Sequence, residues 1–189
     1  MSYNLKPLAD GSVQYVGDDG LSAWKAMPVS QMEAGAGITT GTGTIYRSGV
    51  TKHGGIITTE ILIDITGLSS NVLGDIIGKA ATASCHLGQF VGGTVLTGTM
   101  TCMEAPLTGE PDIDLWVANE STGAEDSAIS ALTGEAVIVT SGADWTLGLS
   151  KHVVAAPGAN QYFYLVGGGG TTDAVYTAGK FLITMQGYE

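Results

Sequence analysis

Ile56-Ile57-Thr58-Thr59-Glu60-Ile61-Leu62-Ile63-Asp64-Ile65-Thr66 decides the fold class. Ile57, Thr59, Ile61, Ile63 and Ile65 fall on one side of an extended chain. Ile56, Thr58, Glu60, Leu62, Asp64 and Thr66 fall on the other. Successive Cβ atoms of a strand point to opposite faces, so this period of 2 marks a strand with one dry face and one mostly wet face. The wet face still carries Ile56 and Leu62, and this leftover apolar surface suits a neighbouring subunit.

Outward from this stretch the same pattern repeats at short spacing. Strands are expected at Asp75–Gly78, Ala83–Phe90, Val95–Glu104, Ile113–Val117, Glu135–Ser141, Trp145–Leu149, Gln161–Val166 and Val175–Gln186. Gly92-Gly93 reads as a hairpin turn between the second and third of these, and Gly167–Gly170 as a hairpin loop between the last two. Many short strands punctuated by glycine predict an antiparallel β-sandwich, jelly-roll-like. One short helix is expected over Ala124–Leu132: Thr122 and Glu125 have the capping-box spacing, and Gly134 can end it.

The first 52 residues read differently. Val13–Val16 and Ser22–Met27 predict a small hairpin around Asp18-Asp19-Gly20, followed by the nearly uncharged run Ala34–Gly43. The expectation is an extended N-terminal arm over 1–52 and a sandwich body over 53–189. Trp24, Ile38, Ile45, Tyr46, Ile56 and Leu62 are the candidate interface residues.

Composition excludes several partner classes. The 189 residues carry 18 acids and 7 bases, a net charge of −11. Such a surface repels phosphate backbones and anionic lipids, so neither nucleic acid nor a membrane surface is an expected partner. The charged fraction of 13% is about half the usual share, while 44% is hydrophobic. That balance opposes disorder and leaves much surface to neutral Thr, Ser and Gly or to other chains. Met1–Gly11 lacks the apolar segment of a secretory signal, and no run of about 18 apolar residues occurs. The expected place of synthesis is a cytoplasm.

Catalytic vocabulary is sparse. Cys85 and Cys102 are the only cysteines. A turn at Gly93-Thr94 would set them opposite each other, whereas a turn at Gly92-Gly93 would not. Buried free thiols are the favoured reading in a reducing compartment, with a disulfide after release and metal ligation as the alternatives. His53, His86 and His152 lack the spacing of metal or nucleophile motifs and read as surface or loop histidines. Asp112 and Asp114, in Glu110-Pro111-Asp112-Ile113-Asp114, share a strand face and are the only Ca²⁺ candidates, although the EF-hand spacing is absent. A solvated strand edge and loop is the favoured reading, and a catalytic carboxylate pair is the third. Gly167–Gly170 lacks the following helix and Lys-Ser/Thr of a phosphate loop. No cofactor is implied, and the chain is expected not to be an enzyme. Trp24, Trp116, Trp145, Tyr46, Tyr162, Tyr164 and Tyr176 could line a sugar site, but aromatics fill ordinary cores as well.

Glu60-Ile61-Leu62-Ile63-Asp64-Ile65-Thr66-Gly67-Leu68, Gly109-Glu110-Pro111-Asp112-Ile113-Asp114-Leu115 and Tyr176-Thr177-Ala178-Gly179-Lys180-Phe181-Leu182-Ile183 resemble stretches of small structural proteins of tailed bacteriophages. The resemblance lies within Thr59–Leu68, Thr99–Trp116 and Tyr162–Gly187. The resemblance implies a virion component of the head decoration (cement) type. It also implies other capsid proteins as partners, homo-oligomers with a trimer as the guess, and assembly in the host cytoplasm. It carries over no catalytic residue. Another virion part, such as a coat or tail protein, is one alternative. A receptor- or glycan-binding sandwich module is the other.

Overall fold

The computed structural model describes residues 3–7, 13–17, 23–26, 32–34, 46–53, 56–70, 72–90, 94–158, 160–170 and 174–188, with side chains from residue 56 on except Ser70 and Phe90. The described secondary structure is almost all β, as the alternation predicts. Fifteen strands run in chain order. They are β1 (Tyr3–Pro7), β2 (Val13–Gly17), β3 (Ala23–Ala26), β4 (Met32–Ala34), β5 (Tyr46–His53), β6 (Ile56–Asp64), β7 (Ser69–Ser70) and β8 (Gly88–Phe90). After these come β9 (Thr94–Leu107), β10 (Ile113–Ala118), β11 (Ala136–Val139), β12 (Ser150–His152), β13 (Tyr162–Gly167), β14 (Ala174–Val175) and β15 (Ala178–Tyr188).

Two five-stranded antiparallel sheets form the body. Sheet I has the order β11-β10-β13-β8-β4, and sheet II the order β12-β9-β15-β6-β5. The strand that opened the sequence reading, β6, sits between β5 and β15 in sheet II. Its burial alternates as its sequence does: Ile57, Thr59, Ile61 and Ile63 are buried, and Ile56, Glu60 and Leu62 are exposed. The buried face of sheet II (Ile61, Ile63, Met100, Cys102, Phe181, Ile183, Met185) shares one core with Ile113, Leu115, Val117, Ile138, Val139, Phe163 and Leu165 of sheet I. Face-to-face sheets bury alternate residues in this way. Trp145 closes one end of the core. Its ring meets Phe181 edge-on at 5.3 Å, and its Nε1 donates to the Ile113 carbonyl at 2.7 Å. A buried indole keeps its N–H satisfied by such a bond.

The sheets are also tied along one seam. The Val154 amide, just past edge strand β12, donates to the Ile138 carbonyl on edge strand β11 at 2.8 Å. Part of the exposed edge is thereby occupied, which limits strand addition there. β15 bulges where it pairs with β9 around Ala178–Phe181. Gly179 supplies the residue, with φ +141, where a Cβ would stand 2.7 Å from the Ile65 side chain.

Several expectations are corrected. β2 and β3 form the predicted hairpin, and β1 adds to it as a third strand. β5 pairs with β6 and β4 with β8, so the boundary expected at 52/53 falls inside a β-hairpin of the body. Gly92-Gly93 lies outside the described residues, and the strands on either side of it belong to different sheets, β8 to sheet I and β9 to sheet II. Gly167–Gly170 likewise lies on a crossing from β13 in sheet I to β15 in sheet II. In both cases the flanking strands already have other ladder partners. The helix over 124–132 shrinks to a single 3₁₀ turn at Ile129–Ala131. Asp126 adopts φ +58, and its amide bonds the Ile76 carbonyl at 3.2 Å, which breaks helical continuity. The stretch 75–78 makes only isolated bridges, and the strand expected at 145–149 is replaced by β12 immediately after it.

Candidate interaction surface

The outer face of sheet II follows from the same alternation that builds the core. Register sets its rows across β6, β15, β9 and β12. Asp64, Lys180 and Glu104 form one row, Leu62, Leu182, Thr101 and Ser150 the next, and Glu60, Thr184, Thr99 and His152 the third. Thr58, Gln186 and Thr97 follow, then Ile56, Tyr188 and Thr94. The middle rows are hydroxyl- and amide-rich: Thr101 and Ser150 share a 2.8 Å hydrogen bond, and Gln186 Nε2 donates to Thr58 Oγ1 at 3.3 Å. Apolar side chains stand out of this neutral lawn. Ile56 is 44% exposed, Leu62 38% and Tyr188 46%. Two of the predicted interface residues, Ile56 and Leu62, therefore occupy one open sheet face.

At one end of that face lies a shallow hollow of about 540 Å³, lined by Met103, Glu104, Ala105, Leu107, Leu147 and Lys180. Met103, Leu107 and Leu147 are exposed around it. Lys180 hydrogen-bonds Glu104 and sits 3.7 Å from Asp64. The hydrogen bond to Glu104, with the field of Asp64 added, raises the Lys180 pKa above its ordinary value. The hollow is thus an apolar floor beside two carboxylates and one ammonium. No sequence signal marks Leu147, because it lies in a turn and not in an alternating strand. Of the remaining interface candidates, Ile38 and Ile45 lie outside the described residues. Trp24 lies on β3 in register with Tyr15, and Tyr46 on β5 in register with Ile63.

Asp112 and Asp114 are brought together, but around protein groups. Ser141 donates through its hydroxyl to Asp112 and through its amide to Asp114 at 2.8 Å. Burial pushes the Asp114 carboxyl above the usual range, the Ser141 amide opposes the shift, and the charge of Asp112 adds to it. Glu110, itself buried, accepts from the Asp112 amide at 3.2 Å. These carboxylates lie directly against the glycine run: the Gly168 amide donates to the Asp112 carbonyl at 2.8 Å, and a Cβ on Gly168 would stand 2.6 Å from Asp112 Oδ1. At Gly170, with φ +70, a Cβ would collide with the Glu110 carboxylate. The glycines are there because carboxylates press on their backbone, and a loop lined by acids repels an anionic ligand. Among the described residues, no three His, Cys, Asp or Glu side chains are grouped to hold a metal ion. The parts the sequence did not single out are Ser141 and the pressing role of Glu110.

The two cysteines are free and buried. They belong to different clusters, Cys102 to the main core and Cys85 to a satellite with Ile76, Ala118, Ile129, Leu132, Tyr164 and Val166. The facing register considered for them therefore fails: Cys102 stands opposite Phe181 on β15. Burial raises both thiols, which makes them poor nucleophiles at neutral pH. His86 is not at the surface. It is 9% exposed, and its ring meets Tyr162 edge-on at 4.8 Å.

Comparison of the chain with protein-family models, with curated proteins and with solved structures gives no match.

Proposed function

We propose that this chain is a non-enzymatic structural protein of a tailed-phage virion, of the head decoration type, acting through contacts with copies of itself and with capsid proteins. The observation that carries the proposal is the outer face of sheet II. Its middle is neutral, with Glu60 and His152 at the margins and Asp64, Lys180 and Glu104 across one end; Ile56, Leu62 and Tyr188 stand out of it, and an apolar hollow lies at the charged end. Surfaces that associate combine apolar anchors with a neutral polar surround, and they are depleted in charge at their centre. The net charge of −11 suits a position on the outside of a shell, away from packaged DNA. The resemblance of 60–68, 109–115 and 176–183 to phage structural proteins points the same way.

The glycan-binding alternative would need exposed aromatic platforms. Among the described aromatics Trp145, Phe163, Tyr164 and Tyr176 are buried, Trp116 and Tyr162 are packed against the satellite cluster, and Tyr188 stands exposed.

Negative-stain microscopy with light scattering on the purified chain tests the proposal. Rings, trimers or larger closed particles are expected, and Leu62→Ser with Leu147→Asp should dissolve them without unfolding the protein. A species that stays monomeric at every concentration, and does not co-sediment with phage heads lacking decoration, overturns it.

A further inference from the structure

The segment 79–87 is built without a ladder. It is pinned by single bonds: Ser84 Oγ donates to the Ser121 carbonyl at 2.6 Å, the Cys85 amide to the Gly123 carbonyl at 2.7 Å, and the Leu87 amide to the Phe163 carbonyl at 2.7 Å. Ala81 within it adopts φ +61, a conformation that costs a residue with a Cβ some strain. His86 is the polar group this segment carries inward, and its buried Nδ1 has no hydrogen-bond partner among the described residues. Burying a polar atom without a partner is unfavourable, and burying a charge without one is more so.

The groups facing the ring are the phenols of Tyr162 at 4.8 Å and Tyr164 at 6.3 Å, both from β13. Tyr164, pushed up to about 12 mainly by burial, stays neutral across the acid and neutral range. On the adjoining 118–128 stretch, Glu120 accepts from Thr133 Oγ1 at 2.6 Å, Glu125 accepts from Ser69 Oγ at 2.7 Å, and Asp126 is exposed. On the side of β4, Glu33 stands in register with Gln89, three residues beyond His86. Among the described residues no charge opposes the effect of burial, which depresses the His86 pKa.

We propose that His86 is an acid-operated latch: its protonation releases segment 79–87 from β13 and uncovers Cys85, while the two-sheet core with Cys102 stays closed. The sign is fixed by the neutral form being the one the fold accepts. A group whose folded pKa is depressed contributes stability that is fully present above its ordinary value of 6.5 and is lost as pH falls through the folded value. The opening is local because Cys85 and Cys102 lie in separate clusters.

Labelling the full-length protein with a dithiodipyridine reagent, which reacts with thiols in acid, reads both cysteines by peptide mass. Between pH 7.5 and pH 4.5, Cys85 labelling should accelerate by up to about tenfold per pH unit, the limit for uptake of one proton, with Cys102 protected. His86→Phe, which keeps a ring against Tyr162, should flatten the dependence. His86→Gln, which cannot charge, should flatten it as well, so one misfolded variant does not decide the result. Cys85 labelling that does not rise in acid, a rise shared equally by Cys102, or a rise that persists in both variants overturns the proposal.

Discussion

The two buried clusters are built by different means. The main core is made by strands whose inward side chains alternate along β6, β9, β10 and β15, each held by ladders on both sides. The satellite cluster of Ile76, Cys85, Ile129, Leu132 and Tyr164 is assembled from turns and isolated bridges around one face of β13. Its members outside β10 and β13 are fastened by single long-range bonds, and Tyr164 adds side-chain ones, its Oη donating to the Glu120 carbonyl at 2.6 Å and accepting from the Gly123 amide at 3.3 Å. A ladder shares its load across many bonds, and a pin does not. The difference implies that the main core sets global stability and that the satellite sets local opening.

The largest effect is expected in the main core. Phe181→Ala removes a fully buried ring packed on Trp145 and should cost about 3–5 kcal/mol. For a chain of this length that lowers the Tm by roughly 6–20 °C in a thermal melt. Retention of the wild-type Tm would mean that the core carries less than its burial implies.

A smaller and more local effect is expected in the satellite. Tyr164→Phe keeps the ring but leaves the Gly123 amide and Glu120 carbonyl without their hydroxyl, a loss of about 1–2 kcal/mol. Hydrogen exchange should quicken at the Gly123 and Cys85 amides while the Cys102 amide keeps its protection. Equal acceleration at Cys102 would merge the two clusters into one cooperative unit and break the comparison.

The smallest effect belongs to the outer hollow. Leu147 is 73% exposed, so Leu147→Ser should change stability in denaturant by no more than about 0.5 kcal/mol. A larger loss, at protein concentrations where the chain associates, would locate Leu147 under a neighbouring subunit.

The legibility of the sequence divides along the same line. β6, β9, β10, β13 and β15 were readable because their residues alternate or run apolar, and a strand's period of 2 is a local property. Glycine was readable as punctuation but not as topology. Gly167–Gly170 follows a strand as a hairpin loop would, yet it lies on a passage between sheets. The backbone freedom of glycine serves a hairpin and a crossing equally well. The helix reading failed because Gly123 and Glu125 are used by distant partners: the Gly123 amide by Tyr164, and the Glu125 carboxylate by Ser69. Asp112 and Asp114 were legible as a pair, but the glycine backbone they press against lies more than fifty residues away in the chain. His86 was misread because a single polar residue outside a pattern gives no sign of which rings will cover it.

What the chain determined by itself is the all-β class, the inward and outward faces of its long strands, and an acidic balance of 18 acids against 7 bases. These follow from side-chain alternation and charge, which need no partner to be defined. Tertiary structure alone decided which strands share a sheet, where the glycine loops cross, and which polar groups were buried. It also decided that Cys85 and Cys102 would lie in different clusters. Each of those outcomes is set by which distant segment satisfies a backbone amide or covers an apolar face, and that choice is made by the whole fold at once.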